Sequence, residues 1–147
     1  MSRKSDALSS SLAQILADTY ALAVKSHAAH WNLTGAQFFT LHAAFGSQYE
    51  ALLLAADDLA ERLRALDSKA PTGILALAKK TTLADITSTD GLDLVKALYA
   101  DHVTLSKALA KAVVVAQDAH DEATADLLIG RIEEHDKTAW MLKATLG

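Results

Sequence analysis

Three side chains able to bind a transition metal recur on one face of a helix that the apolar pattern predicts over about residues 36–66. At about 100° per residue, with His42 as the reference, Asp57 falls at about 60° and Glu61 at about 100°. The apolar side chains of this helix centre at about 270°, so the histidine and the two acids point away from the core. Imidazole together with carboxylate suits iron better than calcium or structural zinc.

The distance along the helix decides how these residues could act together. His42 and Asp57 are 15 residues apart, which is about 22 Å along the axis, so they cannot share a metal within one chain. A second copy of the helix, antiparallel and crossing near Glu50, would bring His42 of one chain beside Asp57 and Glu61 of the other. His30, near the end of the preceding helix, could join His42. The prediction is a site with two histidines from one subunit and two carboxylates from its mate, present twice per dimer.

A simpler interpretation stays open at this point. Asp57 and Glu61 have the spacing of an ordinary solvated helix face. Arg62 and Arg64 lie close enough in the sequence to form exposed salt bridges with them, and such bridges need have no function.

The elements that must position these residues are helices. The chain has 147 residues, with 1 Pro, 6 Gly and no Cys, which favours an all-α domain and excludes disulfides and thiolate chemistry. Apolar residues recur every three or four positions in four long segments. We expect a polar tail over residues 1–6 and one domain over 7–147, a four-helix bundle. The segment 67–90 contains a short helix over 74–80 and suits the long crossover of ferritin-like folds.

Charge and hydropathy narrow the class of protein further. The net charge of −4 argues against a body that binds nucleic acid by bulk charge. No segment is apolar enough to cross a bilayer, and the N-terminus has no apolar stretch typical of a signal peptide, so the expected location is the cytoplasm.

Three stretches of the chain resemble one family closely. HAAHWNLTGAQFFTLH, DDLAERLRALDSKAP and the C-terminal ATADLLIGRIEEHDKTAWMLKATL are similar to the Dps family, the mini-ferritins or DNA-binding proteins from starved cells. The resemblance implies a hollow dodecamer in which Fe(II) is oxidised at two-fold interfaces, preferably by hydrogen peroxide rather than dioxygen, with ferric mineral stored inside. It implies iron as the only cofactor, with no organic group.

The resemblance also assigns roles to individual residues. His30 and His42 match the family's histidine ligands, and Asp57 and Glu61 match the carboxylates of the neighbouring subunit. Trp31 matches the tryptophan beside the centre, although it could equally be an apolar plug at a helix end.

One departure from the family pattern concerns Gly46. The family usually has an acid there, one helical turn after His42, so the sequence predicts one tightly bound iron per site rather than two. An acid introduced at this position should therefore add a ligand. Glu50 lies on the same face and could substitute, or could sit near its own two-fold copy.

Other polar residues carry weaker expectations. Asp121 and Asp126 match acids that line iron-admitting pores at three-fold axes, although Asp121 would also serve as a helix N-cap. His102 and His135 lie on apolar seams and are either satisfied core histidines or a second metal site. His27 is either an outer neighbour of the predicted centre or simply solvated.

Two alternative functions remain at this stage. A chromosome-compacting DNA binder would need a mobile basic arm, and the N-terminus offers only Arg3 and Lys4, opposed by Asp6. We therefore expect DNA binding to be weak. The other alternative is a structural shell with a degenerate metal site, which Gly46 makes credible.

Overall fold

The computed structural model describes residues 3–147, which form four long helices and one short one. The helices are α1 (Arg3–Asn32), α2 (Phe38–Ala65), α3 (Ile74–Lys80), α4 (Gly91–Asp118) and α5 (Glu122–Leu146). The four long helices form the expected ferritin-like bundle, in which α1 packs against α2 and α4, and α4 packs against α5. Residues 3–147 contain no helix long and apolar enough to cross a membrane.

The core is made by the apolar stripes that the spacing predicts. Each long helix contributes fully buried leucines, because residues three and four apart lie on the same helical face. Half of the bundle is centred on Leu12, Leu59, Leu109 and Leu128, and the other half on Leu22, Phe45, Leu98 and Leu105.

The crossover between α2 and α4 is tied down by a buried carboxylate of α1. Asp18 accepts hydrogen bonds from the backbone nitrogen of Thr82 at 2.7 Å and from the hydroxyl of Thr81 at 2.8 Å. The short helix α3, predicted over 74–80, lies against α1. These contacts hold the segment 66–90 along the bundle, as a long crossover requires.

The ends of the helices follow local chemistry. Gly35 has φ +117° in the turn between α1 and α2, a conformation that favours glycine. Asp90 caps α4 by accepting from the backbone nitrogens of Leu92 and Asp93. Asp121 caps α5, as expected, by accepting from the backbone nitrogen of Thr124.

The N-terminus differs from the expectation of a polar tail over residues 1–6. Residues 3–6 form the first turn of α1, while residues 1 and 2 lie outside the described part of the chain. No proline or glycine interrupts this turn, and Asp6 lies near the positive end of the helix dipole. The amine of Lys4 also donates to the carbonyl of Asp118 at 2.9 Å.

Candidate metal centre

Two histidine rings meet where α1 and α2 join. His30 lies in the last turn of α1 and His42 in the second turn of α2, and the short connection between these helices returns the chain on itself. The two rings are stacked, with centroids 3.7 Å apart and planes inclined by 14°. The sequence prediction that His30 joins His42 is therefore consistent with the geometry.

Each of these rings is held by the backbone of the other. Nδ1 of His30 donates to the carbonyl oxygen of His42 at 2.6 Å, and Nδ1 of His42 donates to the carbonyl oxygen of His30 at 2.8 Å. A carbonyl oxygen only accepts, so both protons must sit on Nδ1. In the neutral rings both Nε2 lone pairs are then free. This tautomer, protonated on Nδ1, is the one that can bind a metal through Nε2.

Aromatic side chains surround this histidine pair. His27 lies between Tyr49, stacked at 3.8 Å, and Trp31, at 4.0 Å. Trp31 is 64% exposed, so within this chain it is not a buried plug. Tyr49 also presents its ring to His30 in an edge contact at 5.6 Å.

Tyr49 and Phe38 are neighbours of the centre that the sequence interpretation missed. Phe38 stacks on His42 at 5.1 Å. Both residues sit four or seven positions from His42, and these are the spacings that place residues on the same helical face. This spacing could have identified both residues from the sequence.

The two predicted carboxylates lie elsewhere on the surface of α2. Asp57 and Glu61 are exposed, and helical geometry places them about 22 and 28 Å from His42 along the axis. Within residues 3–147, no three histidine, aspartate or glutamate side chains gather as a metal site. One chain thus brings together the histidines but not the acids.

The structure shows whether these two acids form salt bridges with Arg62 and Arg64. Arg62 contacts Asp121 and Thr124, and Arg64 donates to the carbonyl oxygen of Ser68 at 2.8 Å. Neither Asp57 nor Glu61 forms an ion pair with a residue in the described range 3–147.

Asp57 borders a depression in the surface of the chain. The depression has a volume of about 220 Å³ and lies between α1, α2 and the crossover. Leu53, Ala60, Pro71 and Leu77 line it. The carboxylate therefore sits at the edge of an apolar recess rather than on a uniformly polar face.

Two further residues of α2, Gly46 and Glu50, bear on the number of iron ions that a site could hold. Glu50 is exposed, and its role as a substitute ligand stays a prediction. Gly46 lies directly against the His30 ring, a contact that the sequence does not reveal.

The two acids proposed for pores have different surroundings. Asp121 accepts from Arg62 at 2.9 and 3.1 Å and from Thr124. Burial acts to raise the pKa of Asp121, but the hydrogen bonds from Thr124 and the charge of Arg62 outweigh it and hold the pKa below its usual value. Asp126 is exposed on the first turns of α5. Asp121 is thus occupied by a structural role, and the pore role of both acids stays a prediction.

The histidines on the apolar seams form a pair inside the bundle. His102 and His135 are 3% and 1% exposed, and their Nδ1 atoms lie 2.9 Å apart. Burial, with the nearby charge of Arg131, lowers the pKa of His102 to about 4. Burial, with His102 and Arg131, lowers that of His135 to about 2. A guanidinium nitrogen of Arg131 lies 3.4 Å from Nε2 of His135. A neutral pair beside a cation favours a core role over a second metal site.

Comparison with known proteins places the chain in a family. Residues 10–147 match the ferritin-like domain family. DNA protection during starvation protein 2 of Bacillus anthracis is 33% identical over 132 residues, which cover 89% of this chain and 90% of that protein.

Two solved structures are similar over nearly the whole chain. A Dps protein from Bacillus brevis superposes with a TM-score of 0.97 at 31% identity and covers 100% of this chain and 99% of its own. A Dps protein from Vibrio cholerae O1, described as a member of a broad superfamily of ferritin-like diiron-carboxylate proteins, superposes with a TM-score of 0.94 at 30% identity, over 98% of this chain and 91% of its own. The chain described here belongs to the Dps family of ferritin-like proteins.

Proposed function

We propose that this protein is a mini-ferritin that oxidises Fe(II) at sites shared between two subunits and stores the ferric product inside a hollow dodecamer. The observation that carries the proposal is the reciprocal hydrogen bonding of His30 and His42. In neutral rings it leaves the Nε2 lone pair of each histidine free, and nitrogen ligands of this kind suit iron when carboxylates complete the site.

The carboxylates would come from a second copy of the chain. Asp57 and Glu61 are exposed and unpaired within residues 3–147, and an antiparallel two-fold copy of α2 would bring Asp57 and Glu61 of the partner subunit to His42. Two such sites arise in each dimer by symmetry.

Exposed apolar side chains on and beside α2 support the assembly. Leu53 and Leu54 of α2 are 39% and 71% exposed, and Ile74 and Leu75 of α3 are 67% and 76% exposed. Apolar surface of this kind on a single chain is typical of a face covered by another subunit.

Each residue has a distinct part in the reaction. Neutral His30 and His42 bind Fe(II) through Nε2, and the charges of Asp57 and Glu61 favour the more highly charged Fe(III). With hydrogen peroxide, two Fe(II) ions, one bound tightly and a second bound more weakly, each give one electron. The O–O bond breaks, and two protons are taken up to release two water molecules. Iron is both substrate and cargo here, and the diiron-carboxylate description of the Vibrio cholerae relative supports this chemistry.

DNA protection is the second candidate function, and the name of the Bacillus anthracis relative favours it. The basic residues available for it are constrained, because Arg3 and Lys4 belong to α1 and Lys4 is bonded to Asp118. We therefore place iron oxidation first and DNA binding second. A shell with a degenerate site is the remaining alternative.

An anaerobic Fe(II) titration followed by matched additions of peroxide or dioxygen tests the proposal. We expect rapid formation of Fe(III) with peroxide in the wild type and its loss in His30→Ala and His42→Ala. His120→Asn is the matched control, because His120 is exposed and has a φ of 57° that asparagine tolerates. Equal oxidation in wild type and His42→Ala would contradict the proposal and support a degenerate site.

A further inference from the structure

Trp31 is the exposed end of a row of aromatic rings at the metal centre. Its indole lies 4.0 Å from the ring of His27, which in turn stacks on Tyr49 at 3.8 Å. The contact with His27 fixes where the indole lies, yet Trp31 stays 64% exposed in the single chain. Large, rigid aromatic side chains are enriched at protein interfaces, where they fill pockets on the partner. A fixed and exposed indole is therefore suited to such a pocket.

The recess beside Asp57 is an apolar pocket on the same side of the bundle. Leu16 and Tyr20 of α1 line it together with Ala60 of α2. Its volume is about 220 Å³, several times the roughly 30 Å³ that one water molecule occupies, so a bicyclic side chain fits. Trp31 also belongs to α1. The indole and the recess thus both lie on the α1 side of α2.

The proposed pairing of subunits brings the indole and the recess to the same level. Trp31 follows His30, whose ring stacks on His42, so Trp31 lies about level with His42 along α2. His42 is eight residues before Glu50, and an antiparallel crossing at Glu50 places it opposite about position 58 of the partner. The part of α2 that lines the recess, residues 53–60, spans that level.

The two-fold symmetry also matches the sides. The axis that relates two antiparallel helices lies between them and runs perpendicular to both. Rotation about it reverses the direction along the helix but keeps the α1 side of one subunit over the α1 side of its partner. Because the indole and the recess both lie on this side, the symmetry aligns them across the interface in two places at once.

Phe39 is a second exposed aromatic residue near the centre, but its position fits the recess less well. It is 86% exposed and lies eleven residues before Glu50. The same crossing places it opposite about position 61, beyond the residues 53–60 that line the recess. Phe39 also projects from α2 rather than from the α1 side. Trp31 is therefore the better occupant.

We propose that Trp31 of each subunit inserts into the recess beside Asp57 of its partner and anchors the two-fold interface there. This inference rests on the proposed function, because it uses the pairing of α2 that brings the carboxylates to the histidines. It identifies an apolar contact that holds this pairing together independently of bound metal.

Fluorescence of the assembled protein tests whether the indole is covered. Trp140→Phe removes an exposed tryptophan of α5 and leaves Trp31 as the only indole of the chain. Light scattering first establishes that this variant assembles. We expect emission at a shorter wavelength, and several-fold weaker quenching by acrylamide, than in the same protein unfolded in urea.

Cross-linking tests where the indole is covered. The chain has no cysteine, so introduced thiols react without background. Trp31→Cys with Ala60→Cys places one thiol at the anchor and one in the recess. Within one chain these positions are separated by about 25 Å along α2, so a short bismaleimide can join them only between chains. The matched control is Trp31→Cys with Ala110→Cys, an exposed position inside α4.

We expect a covalent dimer in denaturing electrophoresis from the first cysteine pair and not from the control pair. Loss of the indole could itself prevent assembly, and Trp140→Cys is then the comparison. A loss of assembly confined to Trp31→Cys supports the anchor, because both substitutions remove an exposed tryptophan.

The outcomes separate this inference from the proposed function. A readily quenched indole in an assembly that still oxidises Fe(II) overturns the anchor and leaves the proposed function standing. A covered indole with no excess of cross-linked dimer from the first pair overturns it as well. A protein that stays monomeric contradicts the shared site, and the anchor falls with it. A covered indole together with cross-linking of the first pair alone supports the anchor.

Discussion

His102 of α4 and His135 of α5 share a single proton across a distance of 2.9 Å between their Nδ1 atoms. The guanidinium of Arg131 only donates, so Nε2 of His135 must accept from it and the proton of His135 sits on Nδ1. His135 is then the donor and His102 the acceptor. The two helices are thus joined in the middle of the bundle by two neutral imidazole rings. The hydrogen bond between their Nδ1 atoms holds one proton and cannot accommodate another.

This pair predicts that the protein loses stability in mild acid. The pKa of each histidine is lowered in the fold, to about 4 for His102 and about 2 for His135. The unfolded chain therefore takes up protons below about pH 6.5 while the folded chain does not, and stability falls as pH drops from there toward 4. Between pH 7 and 5.5 the loss should be on the order of 1 kcal/mol per histidine.

Urea unfolding of the wild type and His102→Gln at the two pH values measures this effect. His102→Gln should show a smaller difference between pH 7 and 5.5, and His120→Asn, at an exposed histidine, should match the wild type. Identical pH dependence in all three proteins would show that the buried pair is not the cause.

Asp121 and Asp126 should differ in their contribution to stability. Asp121→Ala removes the N-cap of α5 and leaves Arg62 without its carboxylate partner. We expect a loss of about 0.5–2 kcal/mol, the usual range for a lost cap. Asp126→Ala, at an exposed position, should change the free energy of unfolding by less than about 0.5 kcal/mol. Equal effects of the two substitutions would argue against the structural role of Asp121.

The helices could be predicted because their signals are local and repeated. The leucines of the core recur every three or four residues, and α3 begins and ends where the sequence predicts. The start of α1 could not be placed from composition, because residues 3–6 are polar and one of them, Lys4, is held by a contact with distant Asp118.

Half of the candidate site could be predicted in the same way. The face of α2 that carries His42, Asp57 and Glu61 follows from helical periodicity. The crossed hydrogen bonds of His30 and His42 and the contact of Gly46 with His30 depend on how α1 and α2 meet in space. No spacing within one helix encodes that register, so the sequence does not reveal these contacts.

The number of iron ions bound per site is a further prediction. With no acid at position 46, we expect about one tightly bound Fe(II) per site and a second only at high concentration. Anaerobic equilibrium titration of the wild type and Glu50→Gln measures this number. Two tight ions in the wild type and one in Glu50→Gln would show that Glu50 completes the centre, contrary to this expectation.

DNA affinity should be weak and sensitive to salt. Few phosphates can be neutralised by Arg3 and Lys4, which lie in the first turn of α1, so binding in a gel-shift assay should fade near physiological ionic strength. Tight binding at about 0.2 M salt in both the wild type and Lys4→Ala would reveal a different DNA-binding surface.

Co-assembly of two inactive chains tests whether each metal site is divided between two subunits, as proposed above. His42→Ala and Asp57→Ala are mixed in equal amounts, unfolded and reassembled together, and peroxide-dependent Fe(II) oxidation is measured. Half of the dimers should be mixed, and one of the two sites in each mixed dimer receives both intact residues, so about one quarter of the wild-type activity should return. Complete inactivity of mixed assemblies shown by mass spectrometry to contain both folded chains would contradict the shared site.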